Sequence, residues 1–492
     1  MSDSRSSSYT LRAILAVVLM IVFYGLAIGI AALLLYIPYA EWAYLHRIHG
    51  KLTLFCVIGA GIILWSILPR RERFEPPGPQ LKQEKYPGLF KELTSVAKAV
   101  NQEMPAEVYL LLEANAWVTQ RGGVMGFGGR KVMGLGLPLL QVLTVSQLRA
   151  IIAHEFGHYH SGDTKLGPWV YKTREAIGRT ILGLAEQNSI LQWPFIWYGN
   201  LFLRITHAVS RQQEYAADML AAKVAGTGAT AKALQATQEG AVAFMPYWIE
   251  EVAPLLNAGY RPPISDGFSM FLEEALTRKN IARLLDEEKA SPKDPYDTHP
   301  PIEDRIRAIE KLPARSQEVD KAKAVSLLGD HIPELELQFL SLQGGTSEAQ
   351  ALKPLKWEDV EITVYLPGWR KLVQGQKEAL SGITPSVLPE LARDMTQFKS
   401  RLKAPDGRGP DAEDLTGLSF ATVGSSLALV FHEMGWGFHV RPGANVSFRS
   451  GDQDIEPFTI LPMLISDELK GDEWKGMVAS LGISATPLWE LR

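Results

Sequence analysis

Two long stretches near the N-terminus contain no charged residue: 25 positions from Ala13 to Ile37 and 18 positions from Leu52 to Pro69. A helix needs about 20 apolar residues to cross the hydrocarbon core of a bilayer, so the pattern predicts two transmembrane helices. A buried hairpin of a soluble protein is the alternative. Tyr39, Trp42 and Tyr44 follow the first stretch and favour the membrane, because aromatic rings concentrate at membrane interfaces.

Basic residues flank this hairpin unevenly and predict its orientation. The connecting loop carries Arg47 and Lys51. The outer flanks carry seven basic residues: Arg5, Arg12, Arg70, Arg71, Arg73, Lys82 and Lys85. Because cytoplasmic flanks are enriched in Lys and Arg, we expect the domain after the hairpin to face the cytoplasm. The proline-rich segment 75–79 between them is a stiff linker.

Shorter patterns follow the linker. An apolar face over Tyr86–Gln102 predicts a helix. The runs Glu107–Leu112, Ala116–Met125 and Lys131–Leu137 predict short strands of a small sheet. The aromatic-rich segment Ile190–Val209 contains a proline and an arginine. We predict that it forms a buried or membrane-grazing helix, and a third membrane span is the open alternative.

The motif HEFGH begins at His154 and ends at His158. Two histidines four apart on a helix project from the same side, so both imidazoles can bind one Zn²⁺. Glu155 between them is placed to take a proton from a water on that metal. A solvated helix that carries two histidines by chance is the alternative. The capping-box spacing of Thr144 and Gln147 and the apolar positions that follow favour a buried helix, whose polar groups need a partner.

A candidate third ligand lies about 60 residues downstream, in a second helical segment. Glu214 and Asp218 are one helical turn apart on one face. Glu214 can complete a His-His-Glu site that leaves a fourth position open for water, as catalytic zinc sites do. Asp218 can then accept the free ring N–H of a ligand histidine. Taken alone, such a pair is typical of a charged helix face, and only the upstream motif points to a metal.

Together these motifs resemble those of the HtpX and CAAX-prenyl-protease family of membrane-associated zinc metallopeptidases. The resemblance covers roughly residues 80 to 312. Two further elements match the family's Asn-Ala-Phe and Ser/Thr-His-Pro…Arg patterns: Asn115-Ala116-Trp117, and Thr298-His299-Pro300-Pro301 with Arg305 after it. Trp117 replaces the family's phenylalanine with another aromatic residue.

The resemblance implies zinc endopeptidase activity in a mainly helical, zincin-type α+β domain with a small sheet. It implies one Zn²⁺ per chain, bound by His154, His158 and Glu214. Glu155 would be the general base of a reaction in which water hydrolyses the peptide bond. Asp218 would lie behind the ligands. Polypeptides are the implied substrates.

The resemblance also implies that His299 and Arg305 act near the metal or the substrate. A histidine before two prolines is commonly a capped loop residue, and this is the alternative for His299. In the functional interpretation, His299 donates to the reaction intermediate or occupies the open zinc position at rest. Asn115, Ala116 and Trp117 would lie on a strand edge that holds an extended peptide. Quality control of membrane or misfolded proteins at the bacterial inner membrane is the implied biological role.

We expect three domains, listed in chain order: a membrane anchor (1–75), a zinc metallopeptidase domain (76–313) and an α+β accessory domain of unknown function (314–492). In the accessory domain, Val360–Leu366 predicts a strand and Pro385–Leu402 a helix. Leu415–Phe431 is apolar but interrupted by glycines, so we predict a core helix there rather than a span.

Composition excludes several other classes. The net charge is −4, which gives no indication of nucleic-acid binding. Cys56 is the one cysteine, so neither an intramolecular disulfide nor a cysteine-based metal site is possible. The remaining alternatives to a protease are a non-proteolytic zinc-containing membrane adaptor or chaperone, and a scaffold that acts through its C-terminal domain.

Overall fold

The structure is a computed structural model that describes residues 3–68, 74–121, 129–160, 167–187, 189–290, 300–313, 319–403 and 412–490. It is mainly helical, with three small sheets among the described residues. Contacts divide the chain into two compact units. The first contains residues 1–241 and 286–339, and the second contains residues 242–285 and 340–492.

The elements have the following bounds. The helices before residue 320 are α1 (Asp3–Ala40), α2 (Gly50–Ile67), α3 (Pro87–Ala99), α4 (Leu137–Val142), α5 (Val145–His160), α6 (Gly167–Ala185), α7 (Gln192–Ala225), α8 (Thr227–Tyr247), α9 (Ala253–Asn257), α10 (Ile264–Glu273), α11 (Ala275–Ala290) and α12 (Ile302–Glu310). Those that follow are α13 (Ile332–Gly344), α14 (Thr346–Ala351), α15 (Leu366–Gly375), α16 (Lys377–Leu380), α17 (Leu388–Arg393), α18 (Thr396–Lys399), α19 (Ala412–Glu433), α20 (Pro457–Ile465) and α21 (Gly471–Ser480). The strands are β1 (Gln80–Leu81), β2 (Glu107–Leu111), β3 (Ala116–Arg121), β4 (Arg130–Gly136), β5 (Tyr260–Arg261), β6 (Lys353–Pro354), β7 (Gly437–His439), β8 (Ser447–Ser450) and β9 (Gln453–Ile455).

Both predicted transmembrane segments are helices, α1 and α2, and each is long and apolar enough to cross a membrane. Phe23, Ala27 and Ala31 of α1 and Ala60 and Ile63 of α2 are buried in one core. Most of the other side chains are exposed and apolar. A pair of helices whose outer surface is apolar requires an apolar solvent, which a bilayer provides.

The predicted small sheet of the first unit is confirmed, with strand order β1-β2-β4-β3. β2 and β4 are parallel, while β3 runs antiparallel to β4 with Ala116 opposite Leu135. α3, inside the predicted helix Tyr86–Gln102, buries Leu89 and Leu93 in the same core as Met133. This core supports one end of the motif helix, α5.

Residues 319–339 extend the first unit beyond the predicted boundary at residue 313. The Val145 N–H donates to the Ala322 carbonyl and the Ala324 N–H to the Leu143 carbonyl, both at 2.8 Å. Leu335 of α13 is buried in the unit's main core. This segment therefore supports the beginning of α5. The predicted three-domain division stays a prediction. The boundaries of the two compact units differ from it at two places: residues 319–339 belong to the first unit, and residues 242–285 belong to the second.

The second unit is α+β in composition, with a three-stranded antiparallel sheet, β7-β8-β9, among helices. Aromatic side chains dominate its core: Trp369, Phe431, Phe448 and Trp474 are buried together. The Trp474 indole N–H donates to the Pro385 carbonyl at 2.7 Å. A large buried ring with a satisfied polar atom fixes the surrounding elements.

Two secondary-structure predictions for this unit need correction. Val360–Leu366 is not a strand but a helical segment that leads into α15, where Leu366, Trp369 and Val373 bury one face of the helix. Pro385–Leu402 is not one helix but a short turn followed by α17 and α18. Asp394 ends α17, and its carboxylate accepts the Thr396 N–H at 2.9 Å, which starts the next helix.

The apolar segment within α19 is long enough to cross a membrane by length and composition. However, Val423, Leu427 and Phe431 are fully buried in the core of the second unit. The segment is therefore a core helix, as its glycine-interrupted pattern predicts.

A partly buried carboxyl group in the second unit, that of Glu251, generates a prediction about stability. Burial raises the pKa of Glu251 to about 7, although the Gly443 N–H that donates to its Oε1 opposes this rise. Between pH 4.5 and 7, the folded chain keeps a proton that the unfolded chain has lost. The free energy of unfolding therefore falls as the pH rises through this window, by at most about 3 kcal/mol.

We expect Glu251→Gln to unfold at a higher temperature than the wild type at pH 8, and at the same temperature at pH 4.5, since glutamine still accepts the Gly443 N–H. Thermal unfolding at both pH values measures this difference. Glu273→Gln removes an exposed carboxylate of the same unit and is the control. If Glu251→Gln changed the unfolding temperature equally at the two pH values, this result would contradict the raised pKa of Glu251.

Candidate metal centre

The sequence just before α5 explains where this helix begins. The Gln147 side-chain oxygen accepts the Thr144 N–H at 2.7 Å, and the Thr144 hydroxyl accepts the Gln147 N–H at 3.3 Å. These two reciprocal hydrogen bonds form the predicted capping box. Leu148, Ile152 and Phe156 are fully buried, which confirms the predicted apolar side of the helix.

α5 and α7 pack closely, and a glycine inside the motif permits the contact. A Cβ placed on Gly157 would lie 2.9 Å from the Cα of Ala217, closer than two carbon atoms can approach without a shift of the backbone. Small residues on both helices therefore bring the two backbones together, as ridge-and-groove packing requires. Gly157 and Ala217, one in each motif, are the sequence signal for this helix contact. The spacing of the ligand residues alone does not predict it.

Three potential ligand side chains converge at this crossing. Each of His154, His158 and Glu214 offers one ligand atom, and these atoms lie within 4.8 Å of one another. The two Nε2 atoms are 3.2 Å apart. The Glu214 carboxylate oxygens lie 3.5 Å from Nε2 of His154 and 3.6 Å from that of His158. Two imidazole nitrogens and one carboxylate oxygen are a donor set that zinc accepts.

A buried carboxylate orients one of these imidazoles. Asp218 lies one helical turn after Glu214, and its Oδ1 is 2.9 Å from Nδ1 of His154. This contact leaves Nε2 of His154 directed toward His158 and Glu214. A carboxylate that holds the second ring nitrogen fixes the tautomer and orientation of a metal-binding histidine. The sequence predicts this position for Asp218, and the structure brings the two residues together.

Arg305, at the second turn of α12, completes the network. Its Nε and one terminal nitrogen donate to the two Asp218 oxygens at 2.8 and 2.7 Å, a bidentate pair. Its other terminal nitrogen is 3.2 Å from Oε2 of Glu214. Arg305 is buried. The guanidinium therefore contacts the Asp218 carboxylate behind His154 and the Glu214 carboxylate, which is itself one of the three potential ligands.

The ionisable groups of the motif, His154 and Glu155, interact strongly with the charged side chains around them. Burial opposes protonation of His154, but hydrogen bonds to Asp218 and Glu214 outweigh it and raise the pKa of this imidazole to about 9. A metal bound here would therefore release a proton from the ring. Burial raises the pKa of the Glu155 carboxyl to about 7. A carboxyl group that titrates near neutral pH is suited to accept and return protons.

The strand that carries the predicted substrate-binding residues lies beside Glu155. β3 is the terminal strand of its sheet among the described residues, and the Val118 N–H donates to the Glu155 carboxylate. Asn115 precedes the strand, and its side-chain oxygen accepts the Ala116 N–H at 2.9 Å. Trp117 covers Gly134 on the neighbouring strand, where any Cβ would lie within 2.5 Å of the indole.

The remaining predicted site residue is His299. His299 falls outside the residues that the structure describes, although Pro300 and Arg305 just after it are described. Among the described residues, the ligand cluster consists of His154, His158 and Glu214.

Comparisons with known proteins agree with this geometry. Residues 84–313 match the sequence profile of Peptidase family M48. The chain is 24% identical over 295 residues to the Protease HtpX of Ectopseudomonas mendocina (strain ymp), covering 54% of this chain and 88% of that protein. It is 25% identical over 258 residues to a Protease HtpX homolog of Pelotomaculum thermopropionicum, covering 47% and 78%.

No solved structure gives a significant match to the chain. The family match includes the motif helix, the segment with Glu214 and the helix with Arg305, so it covers all the residues of the converging site. The profile match over residues 84–313 and these relatives support an HtpX-like metallopeptidase of family M48.

Proposed function

We propose that this protein is a membrane-anchored zinc endopeptidase that hydrolyses peptide bonds on the cytoplasmic side of a bacterial inner membrane. One observation carries the proposal: His154, His158 and Glu214 converge on one point, with Asp218 behind the first imidazole. An open fourth position distinguishes a catalytic zinc site from a structural one. His154, His158 and Glu214 are three ligands of the type that catalytic zinc sites use.

The donor set fits zinc. Two neutral imidazoles and one carboxylate suit this ion, and the two Nε2 atoms, 3.2 Å apart, are close enough to bind the same ion. A zinc ion held there would polarise the scissile carbonyl and lower the pKa of a water molecule to about 7. Within the protein, α5 supplies His154 and His158 and α7 supplies Glu214. We propose one zinc per chain.

Glu155 is the general base in this proposal. Its position on α5, between the two histidines, puts its carboxylate next to the site where water attacks the scissile carbonyl carbon. The carboxylate takes a proton from that water as the carbon–oxygen bond forms, and then gives the proton to the amine as the carbon–nitrogen bond breaks. Its raised pKa, about 7, suits both transfers.

Arg305 acts as a positioning residue in this account. The sequence resemblance implies a role near the metal or the substrate. In the structure the guanidinium contacts Asp218 and Glu214 and lies 3.4 Å from both ring nitrogens of His154. It holds both carboxylates in place. His299 is the proposed donor to the oxyanion of the intermediate, on the segment just before α12.

We propose that β3 holds the substrate peptide. An extended peptide can add to the terminal strand of a sheet through backbone hydrogen bonds. The segment Asn115-Ala116-Trp117 begins this strand, and Val118 lies against Glu155. Strand addition reads the backbone rather than the side chains, which suits broad cleavage of unfolded segments. Membrane or misfolded proteins are therefore the proposed substrates, and quality control is the proposed role.

The general-base assignment predicts the behaviour of Glu155→Gln. Glutamine keeps the size of the side chain but cannot accept the proton of the attacking water. We expect cleavage of an unfolded substrate such as casein to fall by about 10²- to 10⁴-fold. We also expect zinc content, measured by mass spectrometry of the purified protein, to stay at about one per chain because the ligands are untouched.

Glu84→Gln is the matched control, since it removes an exposed carboxylate of the same domain and should leave the cleavage rate unchanged. Full activity in Glu155→Gln would contradict the mechanism. A wild-type protein that binds zinc but cleaves no unfolded substrate would favour the adaptor alternative.

The distribution of basic residues predicts the topology of the anchor. A fluorescent protein fused after Arg73 should fluoresce in cells, because that position is expected in the cytoplasm. Alkaline phosphatase inserted at His46 should be active, because the loop is expected on the other side. The opposite pattern of reporter activities would place the peptidase domain outside the cytoplasm.

A further inference from the structure

The connection between α6 and α7 packs against the middle of a membrane helix. Leu191 lies in this connection, and its Cδ1 would be 2.8 Å from a Cβ placed on Gly59. Gly59 is near the centre of α2, which runs from Gly50 to Ile67. It is seven residues, or about 10 Å of helix, from Ser66 at the cytoplasmic end. The tip of the α6–α7 hairpin therefore reaches as far as the centre of α2.

The two arms of this hairpin follow α2 and α1. The Arg179 guanidinium donates to the Ser66 carbonyl at 3.1 and 3.2 Å. Gly183, one turn later, is beside Ile62. α6 therefore runs antiparallel to α2 over this stretch, from its cytoplasmic end toward its centre.

α7 returns along α1. The rings of Phe195 and Phe23 are 6.5 Å apart, and the Tyr198 hydroxyl donates to the Leu19 carbonyl. Phe195, Tyr198 and Phe202 are buried in the same core as the two membrane helices. The hairpin is thus packed into the bundle of the anchor.

The outer side of the hairpin is apolar and exposed. The exposed fractions of Leu182, Ile190, Trp193 and Trp197 are 66%, 73%, 64% and 69%. Large apolar side chains at this density are unfavourable in water. They continue the exposed apolar surface of α1 and α2, on which Ile21 and Trp65 are also exposed.

Charged residues mark where the hairpin enters the apolar region. Lys172, Arg174 and Arg179 precede it and Arg204 follows it, whereas Glu186 is the one charged residue between Thr180 and Leu203. Basic side chains at such positions favour the anionic headgroups of the cytoplasmic leaflet. The pattern matches two short arms that enter and leave on the same side.

The tip itself carries polar residues. Glu186 and Gln187 are exposed there, and together with Ser66, Arg179 and the exposed Trp65 and Leu182 they border an open depression of about 330 Å³. Polar groups at membrane depth are tolerated where they line a space that water can fill, and this depression is large enough to hold water.

We propose that the α6–α7 hairpin is a re-entrant membrane element. It enters the bilayer from the cytoplasmic side beside α1 and α2, turns about 10 Å deep, and contacts lipid through Leu182, Ile190, Trp193 and Trp197. The proposal rests on the membrane anchoring by α1 and α2 proposed above. It goes beyond the predicted buried or membrane-grazing helix and beyond the alternative of a third membrane span.

This element ties the candidate metal centre to the membrane. α7 is one continuous helix from Gln192 to Ala225. Glu214 follows Trp197, the nearest proposed lipid contact, by 17 residues, about 26 Å along the helix. The cleavage site is therefore held within that distance of the lipid contact, which restricts substrates to segments near the membrane surface.

Nitroxide labels on single cysteines test the proposal in the full-length protein in liposomes. Cys56 is buried and is replaced by alanine. Labels are placed at Ile190→Cys and Trp197→Cys. Ile21→Cys on α1 is the lipid control, with an exposed fraction of 67%, and Val319→Cys, at 61%, is the water control. Collisions with oxygen report lipid contact and those with a water-soluble nickel chelate report water contact.

We expect the labels at 190 and 197 to behave like that at 21, with a depth of about 10 Å or less from the cytoplasmic surface. Behaviour like the label at 319 would overturn the proposal, because the hairpin would then lie in water. A depth at position 190 near the opposite surface would also overturn it and indicate a full span. Water contact at position 21 would overturn the proposed membrane anchor as well as the hairpin. Lipid contact at position 21 with water contact at positions 190 and 197 would overturn the hairpin alone.

Discussion

The bidentate ion pair between Asp218 and Arg305 is the interaction on which the candidate site depends. Both residues are buried, at 1% and 8% exposure, and a buried charge is costly unless it is paired and hydrogen-bonded. Here each charge has partners beyond the pair: Asp218 holds His154, and Arg305 contacts Glu214. α5, α7 and α12 each contribute a residue to this network. Removal of Arg305 would leave the Asp218 and Glu214 carboxylates without their buried positive partner. Breaking a buried ion pair in this way lowers the free energy of unfolding by about 3–5 kcal/mol.

The close contact between α5 and α7 makes this network possible. Gly157 allows the backbone of α5 to approach Ala217, so short side chains can bridge the two helices. α7 then continues toward the membrane, where its aromatic residues pack against α1. A single helix thus joins the proposed metal ligand to the membrane bundle, and the position of the site is set by packing rather than by a flexible tether.

Much of the site could be predicted because its signals are local. The four-residue spacing of His154 and His158, the capping box and the turn between Glu214 and Asp218 all follow from helical periodicity. The contact of Arg305 with Asp218 could not be derived in this way, since 87 residues separate the two in sequence. The resemblance implies that Arg305 lies near the metal but does not distinguish a substrate contact from a buried ion pair.

The same limit applies to the fold. The two apolar helices and the small sheet follow from length and periodicity, and the structure contains them. The helical conformation of Val360–Leu366 was not predictable from its β-branched residues, because the buried face that decides it is formed with distant parts of the second unit. The packing of residues 319–339 beside the beginning of α5 likewise depends on backbone hydrogen bonds between segments far apart in sequence.

The zinc affinity of Asp218→Asn tests the central claim most directly. Asparagine keeps the shape of the side chain but loses the charge that orients His154 and balances Arg305. Titration of the purified protein against a competing chelator gives the zinc Kd, with Asp266→Asn, an exposed carboxylate of the second unit, as the control. The account predicts a Kd about 10- to 100-fold higher for Asp218→Asn and an unchanged Kd for the control. An unchanged Kd for Asp218→Asn would contradict the claim that the buried pair positions the metal ligands.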